Sequence, residues 1–478
     1  MFALDMALAA ALGLGASSDT LYAAWSLPMT IGRGMFQSLT NSFMGLFAEA
    51  DNQAMAYNQA ITVIGVVALL GAALMSLTAR WWYPLSVPGA AVDTKVSGQP
   101  LAAILAWLIF LFALSETFRA IYYRNERPIL PSVGRIAGTG ATIVIALLAG
   151  ATQNLYLVAW GLVVGAAIEM LVSFAGLFAL PEFTFRPAWP SRAVLRDMTH
   201  TVGMPLAGQS VRVVASVGER ALASYLGPGA LTAVTFAGRL VATLERFVFR
   251  GFQLATIQAH TTDTTQNYNT RLRVVALLAV PMAVVLTLLS PQLIAVVFGR
   301  GRFTSDDVQT TAFVLQAYAP AVVGLALISI PLGLAFARKR SRAVLGFFAL
   351  NAVVLIATEF AFIRLGLGLS SFGIANSLAA FAGFFWLKRV VAQGDTLWTR
   401  RDTAQFVIIA IAAAVATLAV RALSQWLPPI DLGTWLTLVA GGCACLAGVA
   451  IAARWLGLEE FNNLVSSISG LRSRTNRN

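Results

Sequence analysis

Long apolar runs, broken by short punctuations of Gly, Pro and charge, follow one another from end to end of this chain. Reading the runs between those breaks gives a short first segment and then candidate spans near 18–49, 53–82, 98–122, 129–150, 154–180, 198–227, 229–259, 272–298, 305–337, 341–363, 371–394, 403–424 and 432–456. Each of these is long enough as a helix to cross ~30 Å of hydrocarbon. The first segment is not, because residues 2–14 would rise only ~20 Å. It has no basic leader region and carries Asp5 where a secretory signal would be positive, so it reads as part of a helix. Either that span is incomplete or the true start lies upstream. The fold class is an all-α polytopic membrane protein of about 14 transmembrane helices, the first short or incomplete.

Composition agrees with that pattern and removes the soluble classes. Of 478 residues, 58% are hydrophobic and only 11% charged, against roughly 25% charged in soluble domains. A soluble fold of this composition would have no surface. The net charge of +12 does not point to nucleic acid, since the basic residues sit mostly in short inter-helix loops rather than on one solvated face. With the first segment starting in the cytoplasm, alternation puts Arg119, Arg124, Arg127, Arg186, Arg192, Arg196, Arg271, Arg273, Arg338, Lys339, Arg340, Arg342, Lys388, Arg389, Arg400, Arg401, Arg454, Arg472, Arg474 and Arg477 on one side. The other side receives Arg80, Lys95, Arg300, Arg302, Arg364 and Arg421. That asymmetry predicts both termini in the cytoplasm. Arg outnumbers Lys by thirty to three, which suits bidentate contacts to phosphate or carboxylate and equally suits a GC-rich genome. Cys443 and Cys445 read as small buried residues, and neither His200 nor His260 has a ligand cluster around it, so no metal or other cofactor is expected.

Seven basic residues remain inside the spans: Arg33, Arg135, Arg212, Arg220, Arg239, Arg246 and Arg250. An Arg facing lipid near mid-bilayer costs at least ~2.5–3.5 kcal/mol on insertion scales, so several together imply a water-filled or protein-lined interior. Arg135 sits near a helix end, where it can snorkel to the interface. Arg239, Arg246 and Arg250 are seven and eleven residues apart on one span, and at about 100° per residue they fall within about 20° of one direction. On an unbroken helix they form a stripe roughly 16 Å long, the shape of a track for an anion that travels. Glu245 and Glu219 stand beside Arg246 and Arg220, but sequence neighbours diverge on a helix. The competing reading is a structural network in which Glu116, Glu169, Glu219, Glu245 or Glu359 pairs with these arginines. Even then a positive surplus favours anions. No Walker loop, HExxH or Ser/His/Asp grouping occurs, so no ATPase or hydrolase chemistry can be placed and the chain is not expected to be an enzyme. Transport would run on an ion gradient, the membrane potential or the substrate's own gradient.

Three stretches carry a family resemblance. Gly13 to Phe36, GLGASSDTLYAAWSLPMTIGRGMF, places Asp19, Leu27, Pro28 and Arg33 in a Gly-Ala…Asp…Leu-Pro…Arg…Phe pattern. Ala221 to Leu240, ALASYLGPGALTAVTFAGRL, and Phe298 to Asp307, FGRGRFTSDD, followed by AFARKRSR, are the others. Thr304 and Asp307 also fit a helix-opening capping box. Together these resemble the MviN/MurJ family of lipid II flippases, within the superfamily that also holds polysaccharide-repeat flippases and multidrug exporters. The resemblance implies alternating access by two six-helix lobes around a central cationic cavity. They would comprise residues 1–185 and 186–398, followed by two added helices over 399–458 and a cytoplasmic tail over 459–478. Leu14-Gly15 and Leu226-Gly227, each leading to an Ala-x-x-Leu at Ala24 and Ala237, are a faint echo of such a repeat.

The chain departs from the family pattern at several places. Gly32 precedes Arg33 where an Arg pair is usual, Gly238 and Ala242 stand where acids are expected, and Leu4 replaces an Arg. Arg246 and Arg250 add charge that the family does not need. The resulting expectation is a flippase for an undecaprenyl-diphosphate-linked saccharide in the bacterial inner membrane. Arg33, Arg212, Arg220, Arg239, Arg246, Arg250 and Asp19 would contact the substrate, with Glu219 and Glu245 supporting. Lipid II and a polysaccharide repeat unit are both open as the saccharide, and glycosyltransferase or polymerase machinery as partners. A cation exporter of the same superfamily would need buried acids in place of these arginines. A non-transporting scaffold of an envelope assembly complex would need none of the arginines for export. The basic tail reads as an anionic-lipid contact.

Overall fold

The computed structural model describes residues 2–36, 40, 43, 47, 52–127, 129–152, 154–180, 183–258, 265–338, 340–391, 398–424, 431–458 and 461. Every regular element among them is helical, the outcome demanded when lipid offers backbone groups no partners. The helices are α1 (Phe2–Leu12), α2 (Ala16–Met29), α3 (Gln53–Leu77), α4 (Ala79–Ser86), α5 (Val92–Leu105), α6 (Leu108–Arg124), α7 (Ile129–Thr152), α8 (Leu155–Leu177) and α9 (Arg192–Ala223). They continue with α10 (Ala230–Leu244), α11 (Arg250–Gln258), α12 (Thr265–Leu288), α13 (Ser290–Phe298), α14 (Ser305–Ala337), α15 (Ser341–Arg364), α16 (Ser370–Val391), α17 (Arg400–Ser424) and α18 (Asp431–Trp455). Among the described residues ten helical stretches are long and apolar enough to cross a membrane, α5 and α6 counting as one over Val92–Arg124. Phe2–Leu12 and Ala230–Leu244 are shorter apolar helices.

Besides the short turn at Ala106 and Trp107 inside the span expected over 98–122, four of the expected spans are interrupted. The span expected over 53–82 stops at Leu77, and α4 is a separate amphipathic helix that buries Tyr83 while Trp81 and Leu85 stay exposed. The one expected over 272–298 breaks at Leu289, because Pro291 can open a helix but cannot donate into one that continues. The other two breaks are π-helical turns, at Thr30–Met35 after α2 and at Glu245–Phe249 between α10 and α11. Pro28, inside α2 just ahead of the first of these, removes a backbone donor. Arg33 and Arg246 each lie in one of the two π turns, separated by the same spacing as Ala24 and Ala237.

The chain forms two compact units, one of residues 1–232 with 300–304 and one of 233–299 with 305–478. In the first, α7 and α8 cross at backbone contact. A Cβ on Gly138 would overlap the Gly165 carbonyl, and one on Gly165 would overlap Thr142. Small residues, Gly134, Gly138 and Thr142 at four-residue spacing on α7 against Gly161, Gly165 and Ser173 on α8, allow that approach, as at membrane helix interfaces generally. At the start of α10, Gly229 adopts φ +86°, and its N–H donates to Asp19 Oδ2 at 2.6 Å. Thr232 donates to Asp19 Oδ1 through its N–H at 2.8 Å and its hydroxyl at 2.6 Å. The Asp19 carboxylate therefore caps α10 from the first turn of α2.

In the second unit, α14 packs along α16, where Gly373 meets the backbone of Ala317 and Tyr318. The last two helices are tied to α12, α18 through Cys445 Sγ at 3.5 Å from the Pro281 carbonyl and α17 through two arginines. Arg273 pairs with Asp402 at 2.8 Å, and Arg421 donates to the Leu288 carbonyl at 2.9 Å. Asp402 also accepts from the Thr399 N–H at 2.7 Å, the cap that starts α17.

The α7–α8 contact makes a direct prediction. Gly138→Leu inserts a branched side chain where a single Cβ already overlaps, and overpacking of that kind costs about 1–3 kcal/mol or more. The thermal unfolding midpoint of the purified protein in detergent is expected to fall, whereas Gly140→Leu, at a position with open space around it, leaves it unchanged.

A buried ion-pair cluster as the candidate substrate site

Five charged side chains converge inside the first unit. Glu116 and Arg119 lie on α6, Arg135 on the second turn of α7, Glu169 on α8, and Arg33 in the π turn that follows α2. Arg33 Nη2 donates to Glu169 Oε2, and its guanidinium stacks over the Phe112 ring at 4.1 Å. Arg119 Nη1 donates to both oxygens of Glu116 at 2.6 Å, and its Nη2 reaches Glu169 Oε1 at 3.5 Å. Arg135 Nη2 donates to Glu116 Oε1 at 3.1 Å, while its Nε lies 3.5 Å from Glu169 Oε1. The two carboxylates are 1% and 4% exposed, and Arg135 is 38% exposed. Three guanidiniums against two carboxylates leave one positive charge over.

Local sequence accounts for the placement. Glu116 and Arg119 are three residues apart and so neighbours on one helix face. Glu169 follows Gly165 by one turn and Arg135 follows Gly134, so the glycine crossing of α7 and α8 draws both side chains together. Gly32 lets α6 lie against the π turn, since a Cβ there would come within 2.9 Å of Ile109 Cα and the Leu108 carbonyl. That contact explains why glycine occupies a position where the family resemblance calls for the first Arg of a pair. Leu4, Trp25, Met29, Phe112, Thr139, Thr142 and Leu162 join Arg33 and Glu169 in lining a cavity of about 30 Å³ beside the cluster, room for about two waters. Leu4 presents an apolar wall there in place of the expected Arg.

Arg33 alone of the expected substrate residues enters this cluster. Asp19 lies in the same unit but is engaged at the start of α10. On α9, Arg212 is exposed and Glu219 and Arg220 are half-buried. Arg239, Glu245, Arg246 and Arg250 belong to the second unit, with Arg239 half-buried and the other three exposed. They do not form one α-helical stripe. The π turn over Glu245–Phe249 adds a residue to its turn, so the 100° arithmetic that aligns Arg246 and Arg250 with Arg239 fails there.

Two further expectations are corrected. Arg119, assigned by alternation to a cytoplasmic loop, is buried in α6 because Glu116 and Glu169 neutralise it. Arg135, expected to snorkel, turns toward the same two acids. The spacing of Glu116 to Arg119 and the small-residue pattern around Gly134, Gly138 and Gly165 were the signals that could have found both. The pairing foreseen through Glu116 and Glu169 is thus realised for Arg33, while Glu359, another of those acids, is fully buried in α15.

A multi-pass helical fold with a cationic cluster inside one of its units defines a membrane transporter scaffold. The sequence matches the family described as "Lipid II flippase MurJ" over residues 8–434, and the chain belongs to that family. A Burkholderia cenocepacia protein named "Lipid II flippase MurJ" is 25% identical over 432 residues, covering 82% of this chain and 81% of its own. One from Vibrio cholerae named "Probable lipid II flippase MurJ" is 25% identical over 459 residues, covering 86% and 84%. Among solved structures, "Lipid II flippase MurJ, inward closed conformation" superposes with a TM-score of 0.80 at 16% identity, over 95% of this chain and 97% of that one. An inward-facing multidrug resistance MATE family transporter of the MOP superfamily superposes with a TM-score of 0.71 at 14% identity, over 82% and 94%. At these identities the superpositions establish the fold alone.

Removing one partner of the cluster should be costly and removing a pair should not. Glu116→Gln leaves Arg119 without its principal acceptor and is expected to destabilise the protein by about 3–5 kcal/mol. Glu116→Leu with Arg119→Leu takes out one charge of each sign and should recover most of that loss. Thermal unfolding in detergent checks both, and an unchanged midpoint for Glu116→Gln would mean that the carboxylate does not hold the cluster.

Proposed function

We propose that this protein translocates an undecaprenyl-diphosphate-linked saccharide across the bacterial cytoplasmic membrane by alternating access, with both termini in the cytoplasm. Family membership supports the transport class. The observation that carries the substrate reading is the surplus positive charge buried around Arg33, because an interior that retains an uncompensated guanidinium attracts anions and repels cations. In this reading Arg33, Arg212, Arg220, Arg239, Arg246 and Arg250 hold the diphosphate and any acidic sugar groups, since the guanidinium fork matches phosphate oxygens. Asp19 shapes the site by positioning α10, and Glu219 and Glu245 support the arginines beside them. The lipid tail stays in the bilayer.

Lipid II is the saccharide carried by the names of the relatives. A second reading, a polysaccharide repeat unit, is favoured by Leu4 on the cavity wall and Gly32 against α6, both at positions where the resemblance calls for Arg. The two readings separate in cells depleted of their native lipid II flippase. Rescue of growth by this protein supports lipid II, and failure of a stably expressed, membrane-inserted protein to rescue supports the repeat unit.

Within whichever assay reports transport, Arg33→Ala is expected to lower activity at least ~10-fold, as the loss of a charge-assisted contact to phosphate does. Charge reversal at Arg239 and Arg246 together should abolish transport. Full export by that double variant would favour a scaffold role over any flippase.

A further inference from the structure

The surplus charge of the cluster can be traced to particular atoms. Arg carries five N–H donors, and Arg135, 38% exposed, commits Nη2 to Glu116 and sets Nε near Glu169, while its Nη1 has no protein acceptor among the described residues. Arg33 Nε is buried and donates to no acceptor among the described residues either. Glu169 bridges the two guanidiniums and so holds them within one carboxylate of each other. One turn along α7 from Arg135, Thr139 lines the cavity that Arg33 and Glu169 also line. Thr142, its neighbour on that wall, returns its hydroxyl to the Gly138 and Gly161 carbonyls at 3.0 and 3.3 Å, the usual habit of a helical threonine. Thr139 makes no such bond among the described residues.

We propose that Arg135 Nη1, Thr139 Oγ1 and Arg33 form an oxyanion subsite that takes one singly charged group of the substrate head, either a phosphate of the lipid diphosphate or a carboxylate of an acidic saccharide. The charge matches, because one negative group neutralises the one surplus guanidinium. The size matches as well. A cavity of about 30 Å³ lined by Arg33 and Thr139 is on the scale of one or two waters, which is the scale of the oxygens of a carboxylate or phosphate rather than of a sugar ring. Both guanidiniums keep their carboxylate partners while the anion is bound, so occupancy does not require the buried cluster to come apart. Arg135 thereby becomes a specificity-determining residue outside the set read from the sequence. The assignment rests on the reading of the chain as a carrier of an anionic lipid-linked saccharide.

The test is direct binding to the purified full-length protein in detergent at low salt, by calorimetric titration with inorganic pyrophosphate in one arm and glucuronate in the other. The wild-type protein should bind at least one of them. Arg135→Gln should weaken that binding ~10-fold or more, as loss of a charged donor does, and Thr139→Val about fivefold, as loss of a neutral one does. Arg135→Lys should fall between, keeping the charge without the fork. If Arg135→Gln fails to fold, Thr139→Val carries the test, because its hydroxyl has no partner to lose among the described residues. A response confined to pyrophosphate assigns the subsite to the diphosphate, and one confined to glucuronate assigns it to the saccharide. Absence of binding for both anions, or equal binding by wild type, Arg135→Gln and Thr139→Val, overturns the proposal. Anion binding with this residue dependence in a protein that carries no lipid-linked saccharide supports the subsite and counts against the flippase reading.

Discussion

Charge can be kept inside a membrane-spanning helix only if something else inside neutralises it, and in the first unit of this protein two carboxylates do that for three guanidiniums. Everything else about the candidate site depends on that arrangement. Glu116 and Glu169 are almost wholly removed from water, and Arg33, Arg119 and Arg135 donate to them. The arginines in turn are tolerated in apolar helices because the acids are there. Coulomb attraction of this kind repays desolvation only when the geometry is good, and the geometry comes from backbone packing: Gly138 against Gly165 sets the distance between α7 and α8, and Gly32 sets the distance between α6 and the π turn.

The π turn is the second element of that geometry. A regular helix continuing from α2 would carry Arg33 in the 3.6-residue register, whereas the turn after Pro28 changes that register and places the guanidinium over Phe112 and against Glu169. A like turn holds Arg246 in the second unit. Wider turns of this sort recur at functional positions in helices, and here both fall at matching steps of the weak internal repeat. The repeat is legible as spacing in the sequence, but the distortion it shares is a property of the folded chain.

Membership of the lipid II flippase family and the departures from its pattern are compatible. The overall helical scaffold follows a long apolar pattern that tolerates wide sequence change, which is why a chain at about a quarter identity to its relatives can be matched over most of its length. Site residues answer to local contacts instead. Where the resemblance calls for Arg, Gly32 admits a neighbouring helix and Leu4 closes a cavity wall, while Arg119 and Arg135 supply positive charge from other helices.

The apolar runs, their lengths and the sparse charges between them determined by themselves that the chain is a multi-pass helical membrane protein, because hydrocarbon thickness and backbone hydrogen bonding leave no other choice. They also singled out the interior arginines as a chemical anomaly and named Glu116 and Glu169 as acids able to answer them. Which arginine meets which acid was decided only in three dimensions. Arg119 read as a loop residue and Arg135 as a snorkelling one, since spacing along the chain reports neighbours on a single helix and says nothing of the helix packed beside it. Likewise the proposed stripe of Arg239, Arg246 and Arg250 assumed an unbroken 3.6-residue period, and one π turn was enough to undo it. Residue types and their periodicity constrain what a helix can bury, whereas the partner across a helix contact is fixed by side-chain volume and backbone approach.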